Sequence, residues 1–496
     1  MTAASSQLRY WCDMSMECVR RDHTPAHSTG DQRGPFLTAR ALGMALAALH
    51  DAHAVARGGA GLLAIPALPA LQAVGPAHAD VAAAAACEQV LRLRYPNQSH
   101  LLAPAWLNWL EYHRMGAAGS AAEMAGRAFG NLVHQWGAND PAAAAADRYS
   151  PSGAAYTHVA PPNQPGQGYA GALWGRETTP LLASRVTGFP PPPGRVSAIR
   201  VNPTQHFRDD FNKVLLKGDI NRTPGQTGVR SLAEQVTGIA WGYDGPPELG
   251  TPPRLYLQVV MKVLDLIEAS DPGRLQPQDE LAIIAGVAIA MADAGIDAWF
   301  YKYAPTHMMW RPAVGIREAV PGNGEADPGW VPLGRPDTNG SGVGLTPDFP
   351  AYPSGHATFG AAAFQLLRLM LVEKGAAAFD ANGVDNIRFD FVSDEFNGRN
   401  RDPGSQQPRD HLTLGLDSLW QAIVDNSVSR VYLGVHWQFD GVTKRNAAGN
   451  DDEFGLPVTP SELGRTGGVW LGAQIANQIA SRLGVSAATI ADSRLV

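Results

Sequence analysis

Hydrophobic positions recur along this chain at three- and four-residue intervals. Leu257, Val260, Leu264 and Ile267 keep that spacing, as do Leu416, Leu419, Trp420 and Ile423, and each set predicts a helix with one buried face. Phe359, Ala363, Leu366, Leu367 and Met370 predict another, with Ser354 as its N-cap. Alternating strand patterns are scarce. The most apolar run, Leu281 to Ala292, is too short to span a bilayer and is followed by Asp293 and Asp297, so it reads as a buried helix. The alanine runs at 82–86 and 142–146 read as helix filler. Long irregular stretches lie between the helical segments, at 160–195, 318–352 and 397–409. Loops of that length in a compact protein usually carry function or cover a site. The pattern predicts a mainly helical chain with a division near residue 250.

Composition narrows the class. A chain of 496 residues exceeds one compact core. With 45% hydrophobic and 17% charged residues it reads as a globular enzyme rather than a disordered or coiled-coil chain. A net charge of −7 gives no footprint for nucleic acid. Cys12, Cys18 and Cys87 form neither a disulfide framework nor a zinc spacing. The first thirty residues are polar and lack the apolar core of a signal peptide. Neither Sec-type export nor a transmembrane helix is expected, which leaves no membrane partner and a cytoplasmic location as the default.

Three stretches carry candidate chemistry. In "PDFPAYPSGHATF" a helix begins at Ser354, so backbone amides at its start face outward beside His356, an arrangement that attracts anions; an ordinary cap is the alternative. In "WFYKYAPTHMMWRP" Lys302 and Arg311 flank an aromatic-rich loop. An ammonium and a planar guanidinium suit an oxyanion, although two surface cations would read the same way. In "SVSRVYLGVHWQFD" His436 and Asp440 stand four apart, neighbours on a helix, so that the carboxylate can fix the imidazole tautomer and leave the other nitrogen as ligand or nucleophile. Arg430 adds a third cation; an amphipathic helix with a capped histidine is the bland reading.

In this order the three stretches resemble the signature of the vanadium-dependent haloperoxidases, in a superfamily shared with bacterial acid phosphatases. "GPFLTARALGMALAALHDA", "FRDDFNKVLLKG" and "WGYDGPPELGTPPRLYLQ" look like the same family, most closely its chloroperoxidase-like branch. The resemblance implies an all-α fold of two four-helix bundles with long connecting loops. A polar segment would occupy 1–30, an N-terminal bundle 31–250, and a C-terminal bundle carrying the site 251–496. It implies vanadate as cofactor, its oxygens held by Lys302, Arg311, Arg430, the Ser354 hydroxyl and the Gly355 amide, with His436 bound to vanadium. His356 would be the acid–base group and Asp440 the partner of His436, while Asp244 in "WGYDG" would support an arginine. Eight residues separate Lys302 from Arg311, more than in many relatives, and Pro305 can bend the loop to absorb them.

The implied reaction oxidises chloride or bromide with hydrogen peroxide to hypohalous acid, which halogenates a small organic acceptor. Phe349 and Trp299 would form an apolar halide pocket that favours chloride while admitting bromide. An acid phosphatase using His436 as phosphoryl acceptor is the competing function, and the chain's length argues against it. A homo-oligomer stays open.

Overall fold

The computed structural model describes residues 3–66, 68–116, 118–141, 149–197, 200–202, 204–320, 322–446 and 456–496. The alanine run at 142–146 lies outside them.

Two helices that pack along each other join the halves of the chain. Pro35–Ala56 meets Pro277–Lys302 closely because position 43 carries no side chain: a Cβ on Gly43 would come 2.8 Å from Ala292 Cβ and 3.1 Å from Ala288 O. On one side Ala79–Arg94 is surrounded by Pro35–Ala56, Ala121–Trp136 and Ala3–Asp22. On the other, Gly355–Glu373 touches Pro277–Lys302, Leu419–Tyr432 and Gly468–Arg482. Each group so drawn has four helices among the described residues, the first taking Ala3–Asp22 from the stretch set apart as a polar segment, and Pro252–Ser270 packs against members of both. Strands among the described residues are two short antiparallel pairs, Arg195–Ser197 with Arg200–Val201 and Phe389–Phe391 with Leu414–Leu416.

Several local expectations change. The alanines at 82–86 are a contact surface rather than filler. A Cβ on Gly126 would meet Ala82 O at 2.2 Å, and one on Gly130 would meet Ala86 O at 2.6 Å. The N-terminal stretch that reads as polar is a helix over Ala3–Asp22. Leu8, Trp11, Cys12, Cys18 and Val19 are buried beneath it, and Arg9 pairs with the buried Glu280 and the exposed Asp265. All three cysteines are buried and free. Leu416 belongs to a strand, because Ser418 accepts from the Gln421 amide at 2.9 Å and starts the helix at Leu419. Gly355–Glu373 is buried all round from Gly355 to Leu371, not on one face. Its polar residues find internal partners: Gln365 donates to Asn477 and Ser493 at 3.1 and 3.0 Å, and Arg368 pairs with Asp385 at 2.8 Å.

Pro277–Lys302 is the one helix among the described residues long and apolar enough to cross a membrane, and 94% of its apolar window is buried inside the protein. Asp293 and Asp297 lie on it as anchors. Asp293 accepts the Leu181, Leu182 and Ala183 amides at 2.6–2.8 Å and Asp297 the Val186 amide at 2.8 Å, fixing the irregular stretch at 160–195 against the core.

Candidate active site

The three stretches converge. Lys302 ends its helix and Arg311 follows the connecting loop; Ser354, Gly355 and His356 start the central helix; Arg430 lies in the last turn of Leu419–Tyr432, with His436 and Asp440 just beyond. Backbone bonds hold them together. The Ser354 amide donates to Asp440 O at 2.7 Å. Lys302 Nζ donates to Pro350 O at 2.8 Å, Ala351 O at 3.1 Å and Pro353 O, so all three ammonium protons point at carbonyls. Arg311 donates from Nε to Phe349 O at 2.9 Å and from Nη1 to Val435 O at 2.8 Å.

His436 and Asp440 are neighbours, though not on a helix. The helix stops at Tyr432, Gly434 turns with φ 69°, and Gln438–Asp440 forms a single 3-10 turn. Asp210 accepts the Gln438 and Phe439 amides at 3.0 and 3.1 Å and pins that turn. His436 Nδ1 donates to Asp440 Oδ2 at 2.8 Å, where the Trp437 amide also donates at 2.9 Å. The tautomer follows: Nε2 is the unprotonated nitrogen, and Arg311 Nη1 donates to it at 2.8 Å. Burial and the nearby Arg311 and Lys302 hold His436 neutral, well below the usual histidine range.

Arg430 is gripped by Asp244 through two parallel bonds, Nη1 to Oδ2 at 2.9 Å and Nη2 to Oδ1 at 2.8 Å. Asp244 therefore stands where a supporting carboxylate was expected. His356 Nε2 donates to Gly242 O at 2.7 Å, which leaves Nδ1 as its acceptor. Burial, then Arg430, pushes this histidine down to about 3. Its carbonyl accepts from Tyr256 and Asn426 at 3.1 and 2.8 Å, which fixes the first helical turn.

Three buried cations face two buried carboxylates here, so the cluster has positive charge to offer. Arg311 Nη2 and Arg430 Nε are buried with no acceptor among the described residues. The first amides of the central helix have no acceptor within the helix either. Unspent donors around one unprotonated imidazole nitrogen fit a tetrahedral or trigonal oxyanion such as vanadate, a metal that brings its own oxygens. Burial lowers the Lys302 ammonium well below its usual range, with Arg311 acting in the same direction, so an arriving anion relieves both.

Phe349 and Trp299 lie 4.7 Å apart between their rings, and the Phe349 ring sits 5.1 Å from Lys302 Nζ and 5.0 Å from Arg311 Cζ. Both aromatics line a cavity of about 500 Å³ with His356 and His436. These four are buried, whereas Arg33 on the same wall is exposed and Arg335 is half-buried, so the cavity opens toward the arginines.

All eleven residues singled out from sequence meet in this one region. Sequence reading missed Asp210, Asn426, Tyr256 and the Gly242 carbonyl, which position the histidines, and Asp348, Arg33 and Arg335, which line the cavity. Asp210 sits within "FRDDFNKVLLKG", a segment already marked by its resemblance; a carbonyl leaves no side-chain signal at all.

Comparison with known proteins gives concordant results. The family model of the VCPO second helical-bundle domain matches residues 282–450. The chain is 30% identical over 502 aligned positions to the vanadium chloroperoxidase of Curvularia inaequalis, covering 89% of this chain and 80% of that protein. Its fold is similar to the crystal structure of a bacterial vanadium-dependent iodoperoxidase, with TM-score 0.61, 17% identity and 95% of each chain covered. It is also similar to that of a holo-type bacterial vanadium-dependent chloroperoxidase, with TM-score 0.59, 13% identity and coverage of 94% of this chain and 95% of the other.

Proposed function

This chain belongs to the vanadium haloperoxidase family, and from that premise we propose that it uses hydrogen peroxide to oxidise chloride or bromide to hypohalous acid, which halogenates a small organic acceptor. One observation carries the proposal. His436 presents an unprotonated Nε2 beside Arg311, in a buried cluster with donors to spare.

In this reading Arg311, Arg430, the Ser354 hydroxyl and the Gly355 amide would hold the oxygens of vanadate, and His436 Nε2 would bind the metal. Asp440 keeps the proton on Nδ1 so that Nε2 stays available. Lys302 supplies charge and reaches the anion by exchanging one of its three carbonyls. Bound there, vanadium(V) supplies a Lewis acid that activates peroxide without changing oxidation state. His356, steadied on Gly242 through Nε2, takes the peroxide proton at Nδ1 and later returns it to the departing oxygen. Phe349 and Trp299 give the halide an apolar wall that weakens its hydration, which favours chloride while admitting bromide.

A phosphatase is the second reading, since an unprotonated, carboxylate-oriented His436 is also the form that attacks phosphorus. One experiment separates them: halogenation of monochlorodimedone with peroxide and chloride or bromide, with and without orthovanadate, beside hydrolysis of p-nitrophenyl phosphate. Vanadate-dependent halogenation is expected. Vanadate-inhibited phosphate release without halogenation would replace the proposal with its rival.

A further inference from the structure

The cavity is larger than its proposed small reactants need. About 500 Å³ lies within the range of sites for organic molecules, whereas a water molecule's share of liquid volume is about 30 Å³ and a halide is of comparable size. A second lobe of about 290 Å³ adjoins it, sharing Arg33, Pro35, Gln167, Asp348 and Phe349 and adding Phe36 and Tyr169. Phe349 thus stands between the buried histidines and an apolar recess.

Charge at the mouth has one sign in excess. Arg33 has no ion-pair partner among the described residues, and the one side-chain hydrogen bond of Arg335 among them is to the Asp244 carbonyl at 3.2 Å. Of the two carboxylates on the cavity wall, Asp244 is locked onto Arg430, which leaves Asp348 alone against two guanidiniums. In a chain of net charge −7 this positive mouth is local.

Resting on the haloperoxidase reading above, we propose that this mouth recognises an organic acceptor bearing a carboxylate or similar anionic group, bound by Arg33 and Arg335 with its apolar body in the side lobe. A planar guanidinium pairs with a carboxylate through two parallel bonds, and the lobe holds the acceptor's electron-rich carbon close to where hypohalous acid is released. The step balances: the halogen of hypohalous acid bonds to carbon, the displaced C–H proton joins the hydroxide, and water leaves.

The test uses two phenols of equal size, 4-hydroxyphenylacetate and its neutral amide. Binding to the vanadate-loaded enzyme is measured by calorimetry without peroxide, and kcat/KM is measured under turnover. The carboxylate is expected to bind about tenfold more tightly, the effect of one hydrogen bond between charged groups. Arg33→Ala with Arg335→Ala should bring the ratio near one, and Arg33→Lys should retain part of it. Vanadium content checks that each variant is folded and loaded. Equal binding of acid and amide by the wild type would overturn the proposal, as would a double variant that raises the halide KM but keeps the acid-to-amide ratio, since the mouth would then be a halide funnel. Calorimetry reads acceptor binding even if no halide is oxidised, so the two proposals fail separately.

Discussion

Asp244 holds Arg430 by both carboxylate oxygens, at 2.8 and 2.9 Å, and the nearer of them lies 4.0 Å from His356 Nε2. One carboxylate therefore balances a buried guanidinium and borders the candidate acid–base group. Asp244→Asn leaves Arg430 buried without a counter-charge, which costs roughly 3 to 5 kcal/mol. Thermal unfolding should show the loss, and added orthovanadate, which restores negative charge, should recover part of it. A variant as stable as the wild type would mean that Arg430 finds another partner.

Retention of the metal is expected to depend on His436. His436→Ala should abolish stoichiometric vanadium after gel filtration, as read by elemental analysis. Asp440→Asn should retain vanadium more weakly, by about tenfold to a hundredfold, because the tautomer is no longer enforced. Tight retention by His436→Ala would falsify the assignment.

His356 separates chemistry from binding. Its Nε2 is spent on Gly242, and in the proposed reading other groups would hold the anion. His356→Ala should lose at most one charged hydrogen bond, about 1.5 to 3 kcal/mol of vanadate affinity. Turnover should fall by about a hundredfold to ten-thousandfold. Occupancy and halogenation rate, measured on one preparation, check both.

Acid should destabilise the vanadate-free protein through this same histidine. Its folded value of about 3 lies below the ordinary 6.5, so the unfolded chain binds the extra proton, and stability falls as pH drops from about 6.5 toward 3. The slope is up to about 1.4 kcal/mol per pH unit for one such group. Urea unfolding between pH 7 and 4 should be flatter for His356→Ala by one proton's worth.

Halide choice should respond to Phe349. Its ring sits about 5 Å from both Lys302 and Arg311, so a polar replacement introduces a competing donor between two cations. Phe349→His should lower the ratio of chlorination to bromination rates. An unchanged ratio would make Phe349 a loop anchor only.

Much of this was legible because the binding groups recur in short segments. Pro-Ser-Gly-His at a helix start and His-x-x-x-Asp each keep their chemistry within a few residues, so spacing reported proximity. The bend at Gly434 was invisible for the same reason. A four-residue spacing reads as one helical turn, yet a turn pinned by Asp210, more than two hundred residues away, gives the same contact. The central helix misled in a related way, since its one-sided pattern implied a solvent face that Asn477, Ser493 and Asp385 convert into interior. Long-range partners of buried polar groups leave no periodic trace.

Buried thiols bear on how long such a catalyst lasts. Oxidants attack the thiolate first, and burial keeps Cys87 protonated up to about 12 and raises Cys12 and Cys18 as well. Hypohalous acid escaping from the proposed reaction would meet Met124 and Tyr112 instead, 61% and 82% exposed. Wear from turnover should therefore register first as a sulfoxide and a halogenated ring on the outside of the N-terminal bundle, where the damage leaves the catalytic half intact.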